Sequence, residues 1–295
     1  MRVTETNIAD SFLNSVNKNR ERIVQLQTQL ATGKRVNKSS DDPQAAESIL
    51  RLKSMLSLNE QYQKNVGDAQ SVMEMTEGAL DSFANVLLEM RELVTRASNG
   101  THAGELGIYA DRIDSLLDEA VNIANTKFGG KYIFGGTQTL DAPFIMASDR
   151  SAVTPSPKGI TGSIQFPVSE GLSQVVNIDG QEAFQGTAIF QAMIQLRDDL
   201  RSGQFPTVAQ KDSISSMYDY VLGKGSKAGS ILQSLDALNT HLTVQKTQLE
   251  GLLSIQQDAD VAESIMKLKH DEIMLDAALN TASRILPKTL LDYLR

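Results

Sequence analysis

The sequence predicts a mainly α fold: a long-helix rod or bundle with coiled-coil termini and a small β-rich inserted domain. Three observations carry this. The seven prolines, at positions 43, 143, 155, 157, 167, 206 and 287, leave residues 44–142 and 207–286 free of proline. Proline costs about 3 kcal/mol inside a helix, so such stretches can hold long ones. Apolar residues near both ends recur at three- and four-residue intervals, the spacing of a helical seam. Between 129 and 186 the texture changes: nine of the twenty glycines fall there, among short β-branched and aromatic runs, a pattern of strands and turns.

The first segment, 1–42, places Ile8, Phe12, Ile23, Leu26 and Leu30 on seam positions once Val16 and Asn19 are admitted. Its helix should stop near Gly33. In the linker GKRVNKSSDDP, Asp42 before Pro43 is an N-cap followed by proline at the first helical position. The helix from Pro43 should reach Ser98, burying Ile49, Leu52, Leu56, Val66, Ala69, Met73, Leu80, Leu87 and Val94. At 1.5 Å per residue it would be about 80 Å long, far beyond an ordinary globular helix. After a turn at Asn99–Gly104, a helix running to Phe128 should return antiparallel, burying Ile108, Ile113, Leu116, Leu117, Val121 and Ile123.

GGKYIFGG marks the entry to the insert, placed at 135–185, where SIQFPV and SQVVNI read as short strands. Helix resumes at Ala188–Arg201, breaks at GQFP and continues after Pro206. Residues 224–286 read as one long periodic segment through Ile231, Leu235, Leu238, Leu242, Leu249, Leu252, Ile265, Leu268, Leu275 and Leu279, with Gly223, Gly225 and Gly229 as soft spots before it. The organisation is nested. An N-terminal coiled-coil helix and linker (1–42) and a C-terminal coiled-coil helix (246–295) flank two halves of a helical domain (43–134 and 186–245), which enclose the insert. Residues 1–42 carry seven basic and five acidic side chains, and 249–295 five and eight, a weak charge complement for pairing the two ends.

Little in the sequence suggests chemistry. A net charge of -8 argues against a nucleic-acid partner, which wants a basic footprint. There is no cysteine, and His102, His241 and His270 stand alone without metal-ligand spacing. The acidic pairs Asp198–Asp199 and Asp271–Glu272 are neighbours on helices and point apart. FGGKYIFGG lacks the phosphate-loop and dinucleotide patterns, and no GxSxG occurs. No catalytic residue, cofactor or metal is expected. The N-terminus shows no cleavable signal peptide and no window is apolar enough to span a membrane, which fits a soluble protein or one exported with its N-terminus uncut.

Two stretches resemble a known family. LQTQLATGKRVNKSSDDPQAAESILRL (26–52) and DADVAESIMKLKHDEIMLDAALNTASRILPKTLLDYLR (258–295) are similar to the N- and C-terminal signatures of the flagellin superfamily, and their pairing at opposite ends makes the resemblance specific. It covers roughly 1–140 and 185–295. GKYIFGGTQTLDAPF and the tail LLDYLR look more like the members that form the short hook–filament junction than like those forming the filament itself.

The resemblance implies a structural subunit of the bacterial flagellum, with its terminal helices as an inner coiled-coil layer around a channel and its insert facing outward. Ile8, Phe12, Ile23, Leu26, Leu30, Ile265, Leu268, Leu275 and Leu279 would serve subunit assembly, and Arg35, Asn37, Asp41 and Asp42 would carry axial contacts or merely cap and turn the chain. Implied partners are hook-associated protein 1 on the hook side, flagellin on the filament side, further copies of itself in a ring, an export chaperone and the flagellar type III export apparatus. It implies an extracellular destination and termini that order only on assembly. A filament flagellin is the alternative within the family. An unrelated helical binding scaffold of a secretion system would explain the helices but not the paired end motifs.

Overall fold

The computed structural model describes the backbone of residues 2–98 and 103–285, and side chains from Asp10 to Ser98 and from Gly104 to Thr281. The side chain of Ile8, most of the Asn99–Gly104 turn with His102, and the LLDYLR tail lie outside the described residues.

Among the described residues, seven α-helices and six short strands follow in order: α1 (Arg2–Thr32), α2 (Pro43–Ser98), a 3-10 turn (Ala103–Glu105), α3 (Leu106–Ala124), β1 (Lys127–Phe128), β2 (Lys131–Tyr132), β3 (Phe144–Met146), β4 (Val153–Pro155), β5 (Gln165–Ser169), β6 (Leu172–Val175), α4 (Gly180–Phe184), α5 (Ala188–Arg201), α6 (Val208–Gln257) and α7 (Val261–Ile285). The chain divides into two compact units, Met1–Leu58 with Gln245–Arg295, and Asn59–Val244, the division falling inside α2 and α6.

The helix boundaries have local causes. α1 stops beside Gly33. Asp42 caps α2, its Oδ1 accepting from the Ala45 N–H at 3.0 Å, and Pro43 occupies the first turn, where its missing N–H costs nothing. The expected single segment over 224–286 is two helices: α6 ends at Gln257 and α7 begins at Val261. Neither glycine nor proline marks this break. It is made by Asp260, whose Oδ1 accepts from the Glu263 N–H at 3.0 Å as a helix N-cap, and by Asp258, which accepts from Ser254 Oγ at 2.6 Å.

In the larger unit, α2 and α6 run antiparallel: Gln63 meets Thr243 at 3.1 Å near one end, and Arg91 lies 5.0 Å over the Tyr218 ring near the other. α3 returns along α2, with Arg112 Nε donating to Glu89 at 2.6 Å, and packs antiparallel to α5. The stripe expected on α2 is buried as read from Val66 to Val94. Ile108, expected inside, is 67% exposed because the buried face of α3 runs through Leu106, Ala110, Ile113 and Leu117, and Ile108 lies on the opposite side of the helix.

The insert is three separate two-stranded antiparallel hairpins, β1–β2, β3–β4 and β5–β6. Pairing begins at Lys127, ahead of the expected boundary at 135, because Gly129 and Gly130 are the turn of the first hairpin. Both have positive φ, +56° and +81°, the conformation that two-residue hairpin loops demand. A continuous apolar core links helices and hairpins. At its centre the Phe184 ring contacts those of Phe83, Phe134, Phe144 and Phe190, with centroids 4.6–5.8 Å apart, favourable tilted and edge-on geometries.

Candidate assembly surfaces

In the smaller unit, α1 and α7 lie antiparallel. On α1 the inward positions are Phe12, Val16, Asn19, Ile23, Leu26 and Leu30; on α7 they are Ser264, Leu268, Asp271, Leu275 and Ala278. Both sets step by three and four, as a coiled seam requires. The seam is thin. Among the described residues of these two helices only Val16, Asn19 and Ser264 are fully buried. Asn19 fixes the register: its Nδ2 donates to the Asp271 carbonyl at 3.1 Å, while Arg22 donates to the Asn19 side chain at 3.1 Å and pairs with the Asp271 carboxylate at 3.4 Å. A polar group at a seam position selects one alignment at some cost in stability.

The structure therefore brings Phe12, Ile23, Leu26, Leu30, Leu268 and Leu275 together, and does not bring Ile265 or Leu279 to them. Those two are 47% and 44% exposed. They lie beside the seam; the inward places are taken by the small residues Ser264 and Ala278. The three-four spacing through Leu268 and Leu275 identifies these positions, whereas a search for large apolar residues passes over them.

Exposed apolar residues remain on α7. Val261, Ile265 and Leu279 form one stripe beside the seam, Met274 and Met266 lie on its other flank, and Ile273 lies opposite it. On α1, Leu13 and Val24 are exposed in the same way. These side chains lie among charged neighbours such as Lys267, Lys269 and Asp276, and no described residue of the chain covers them. Between α1 and α7 an open groove of about 740 Å³ is lined by Leu26, Arg35, Met266 and Lys267, among others.

The linker residues have defined work within the chain. Asp41 accepts from the backbone N–H of Asn37 and Lys38, at 3.0 and 2.9 Å. Asn37 Nδ2 donates to the Lys34 carbonyl at 2.9 Å. Arg35 Nη1 pairs with Asp42 at 3.1 Å, and its Nη2 donates to the Gln256 carbonyl at 3.0 Å. Backbone bonds complete the tie: Arg35 N–H to Gln257 O at 2.7 Å and Ala259 N–H to Gly33 O at 2.9 Å. The α1–α2 linker and the α6–α7 break are thus hydrogen-bonded to each other, which neither segment's sequence showed. The Ala45 backbone bond and the Arg35 hydrogen bond hold the Asp42 carboxyl below its usual range. Asn37, Asp41 and Asp42 cap or turn the chain, while Arg35 ties the linker to the end of α6 and keeps an exposed flank.

Among the described residues, no group of three or more His, Asp or Glu is placed to hold a metal ion. His241 and His270 are exposed. Asp271 and Glu272 serve Arg22 and Lys269 separately, while Asp198 pairs with Arg197 and Asp199 accepts from Gln210. No helix among the described residues is long and apolar enough to cross a membrane.

Residues 3–139 match the family model of the bacterial flagellin N-terminal helical region. Flagellar hook-associated protein 3 of Escherichia coli is 26% identical over 280 residues, covering 89% of this chain and 85% of that protein. Flagellin of Bacillus subtilis is 24% identical and is matched along the full length of both chains. The crystal structure of Bacillus cereus FlgL superposes with a TM-score of 0.60 at 22% identity, over 69% of this chain and 99% of that one, a likeness of fold. The chain is similar to members of the flagellin superfamily along most of its length. Within that superfamily its fold is like that of FlgL.

Proposed function

We propose that this protein forms the junction between hook and filament. The carrying observation is the end-to-end seam: α1 and α7 pair through a thin interface and leave Leu13, Val24, Met266, Ile273 and Met274 exposed. That is an arrangement completed by neighbours in a ring of copies. Similarity to the Escherichia coli hook-associated protein 3 over most of both chains supports the junction role. In this reading hook-associated protein 1 contacts one end of the ring and flagellin the other. Ile8, Ile265 and Leu279 join the exposed residues in contacts between copies, and the outer flank of the Arg35–Asp42 linker makes axial ones. The protein acts outside the cell, reaches its place unfolded through the flagellar type III apparatus with a chaperone on its C-terminal helix, and catalyses nothing.

The filament reading is favoured by one observation, the full-length match to the Bacillus subtilis flagellin. Deletion of the gene, with filament attachment scored by electron microscopy, separates the two. Intact hooks with free flagellin shed into the medium are expected. Absence of any major filament subunit would instead make this chain the flagellin, and normal attached filaments would overturn both readings.

A further inference from the structure

α6 runs unbroken through VLGKGSKAGS, residues 221–230, although three glycines lie inside it. Glycine is the poorest helix former after proline, and a buried helix usually keeps one only where a neighbour leaves no room for a methyl group. That is not the case here. A Cβ at Gly223 or Gly225 would meet nothing within 4 Å, and one at Gly229 would meet only the tip of the Glu77 side chain, at 3.1 Å. Gly225 instead borders a groove of about 200 Å³ between α6 and α2. The segment is intrinsically weak: Gly223 faces solvent, Gly225 lines the open groove, and buried Val221 and Ala228 anchor it.

One residue of α4 supports it from outside. The Glu182 carboxylate accepts from Lys224 Nζ at 3.0 Å and Lys227 Nζ at 2.6 Å. The Glu182 carbonyl accepts from Tyr220 Oη at 2.7 Å, and Lys224 Nζ also lies 5.0 Å over the Tyr220 ring. These three partners straddle Gly223 and Gly225. Part of what fastens the weakest part of α6 is therefore electrostatic and partly open to solvent.

We propose that residues 220–229 are a yield point in α6: a segment kept helical by the Glu182 clip, and the first part of that helix to open. It gives a long helix one defined place to bend or begin unfolding while the flanking turns stay packed. Because the clip is built of ion pairs, its grip weakens as salt screens them.

Hydrogen exchange on the full-length protein tests this. In the wild type, amides 222–230 should exchange faster than those of 212–219 and 232–240, and added salt should speed the first group selectively. Glu182→Gln should speed it about tenfold, the loss of a charged hydrogen bond. Gly223→Ala and Gly225→Ala, for which there is space, should each slow it about fivefold. Uniform exchange along α6 in the wild type would overturn the proposal. So would alanine variants that leave the segment unchanged, or a Glu182→Gln effect spread evenly over the whole helix.

Discussion

Arg197 is fully buried, the one charged side chain of which this is true among the described residues. Its guanidinium donates to Asp114 Oδ1 and to the Arg150 carbonyl, both at 2.9 Å, and to Asp198 at 2.8 Å. Asp114 on α3 also faces Arg150 and Arg201, so one carboxylate ties α5 and the β3–β4 turn to α3. Removing one partner strands the other, and Arg197→Ala should destabilise the protein by about 3–5 kcal/mol in urea unfolding. Burial pushes the Asp114 carboxyl up, but the Arg197 hydrogen bond and the three nearby guanidinium charges outweigh it and hold the group below its ordinary 3.8. Glu182, held down chiefly by Lys227, sits below its ordinary 4.5. For both, the unfolded chain binds protons more readily than the folded one in acid. The stability they contribute is present above their ordinary values and lost as pH falls through the folded ones. Urea midpoints followed from neutral pH into acid should hold until about pH 5 and fall below about pH 4, with a shallower fall for Asp114→Asn. None of this was legible in the sequence, because residues 114, 150 and 197 share no local pattern and meet only through the fold.

At the scale of elements, legibility tracked how local the cause was. The α1 seam was readable because its spacing alone places Phe12, Val16, Asn19, Ile23, Leu26 and Leu30 inward. The α6–α7 break was not, since its stop signal is two aspartates rather than glycine or proline, stabilised by bonds to a linker far away in sequence. In the insert, the paired glycines announced turns, but only the structure separates their duties. A methyl group at Gly129 meets nothing within 4 Å, so Gly129→Ala should cost only the left-handed backbone strain, about 1–2 kcal/mol. At Gly136, φ is +60° and a Cβ would fall 2.3 Å from the Thr161 carbonyl oxygen. Gly136→Ala should therefore lower the melting temperature clearly more than Gly129→Ala when both are followed by circular dichroism.

For the molecule as a whole, the nested order of helix, insert and helix was visible from proline and glycine placement, while the phenylalanine cluster that unites them was not. Its five rings come from α2, the insert, α4 and α5, segments whose meeting no periodicity foretells. Stability should be distributed unevenly. The larger unit has a continuous apolar core, whereas the α1–α7 seam buries few side chains, and short interfaces of that kind open readily. In the isolated protein, amides of residues 10–30 should exchange at least about tenfold faster than those of α3; equal protection would show that the seam is self-sufficient. The tie between Arg35 and Gln256 joins positions 221 residues apart. Closing a loop of that length costs about 5 kcal/mol of chain entropy, and the seam beyond it offers little with which to offset that. A chain that emerges N-terminus first, from a ribosome or a narrow conduit, thus carries an α1 helix with no internal partner until its last segment follows. Order at one terminus waits on arrival of the other, so a truncation at the C-terminus would be felt first as lost structure at the N-terminus.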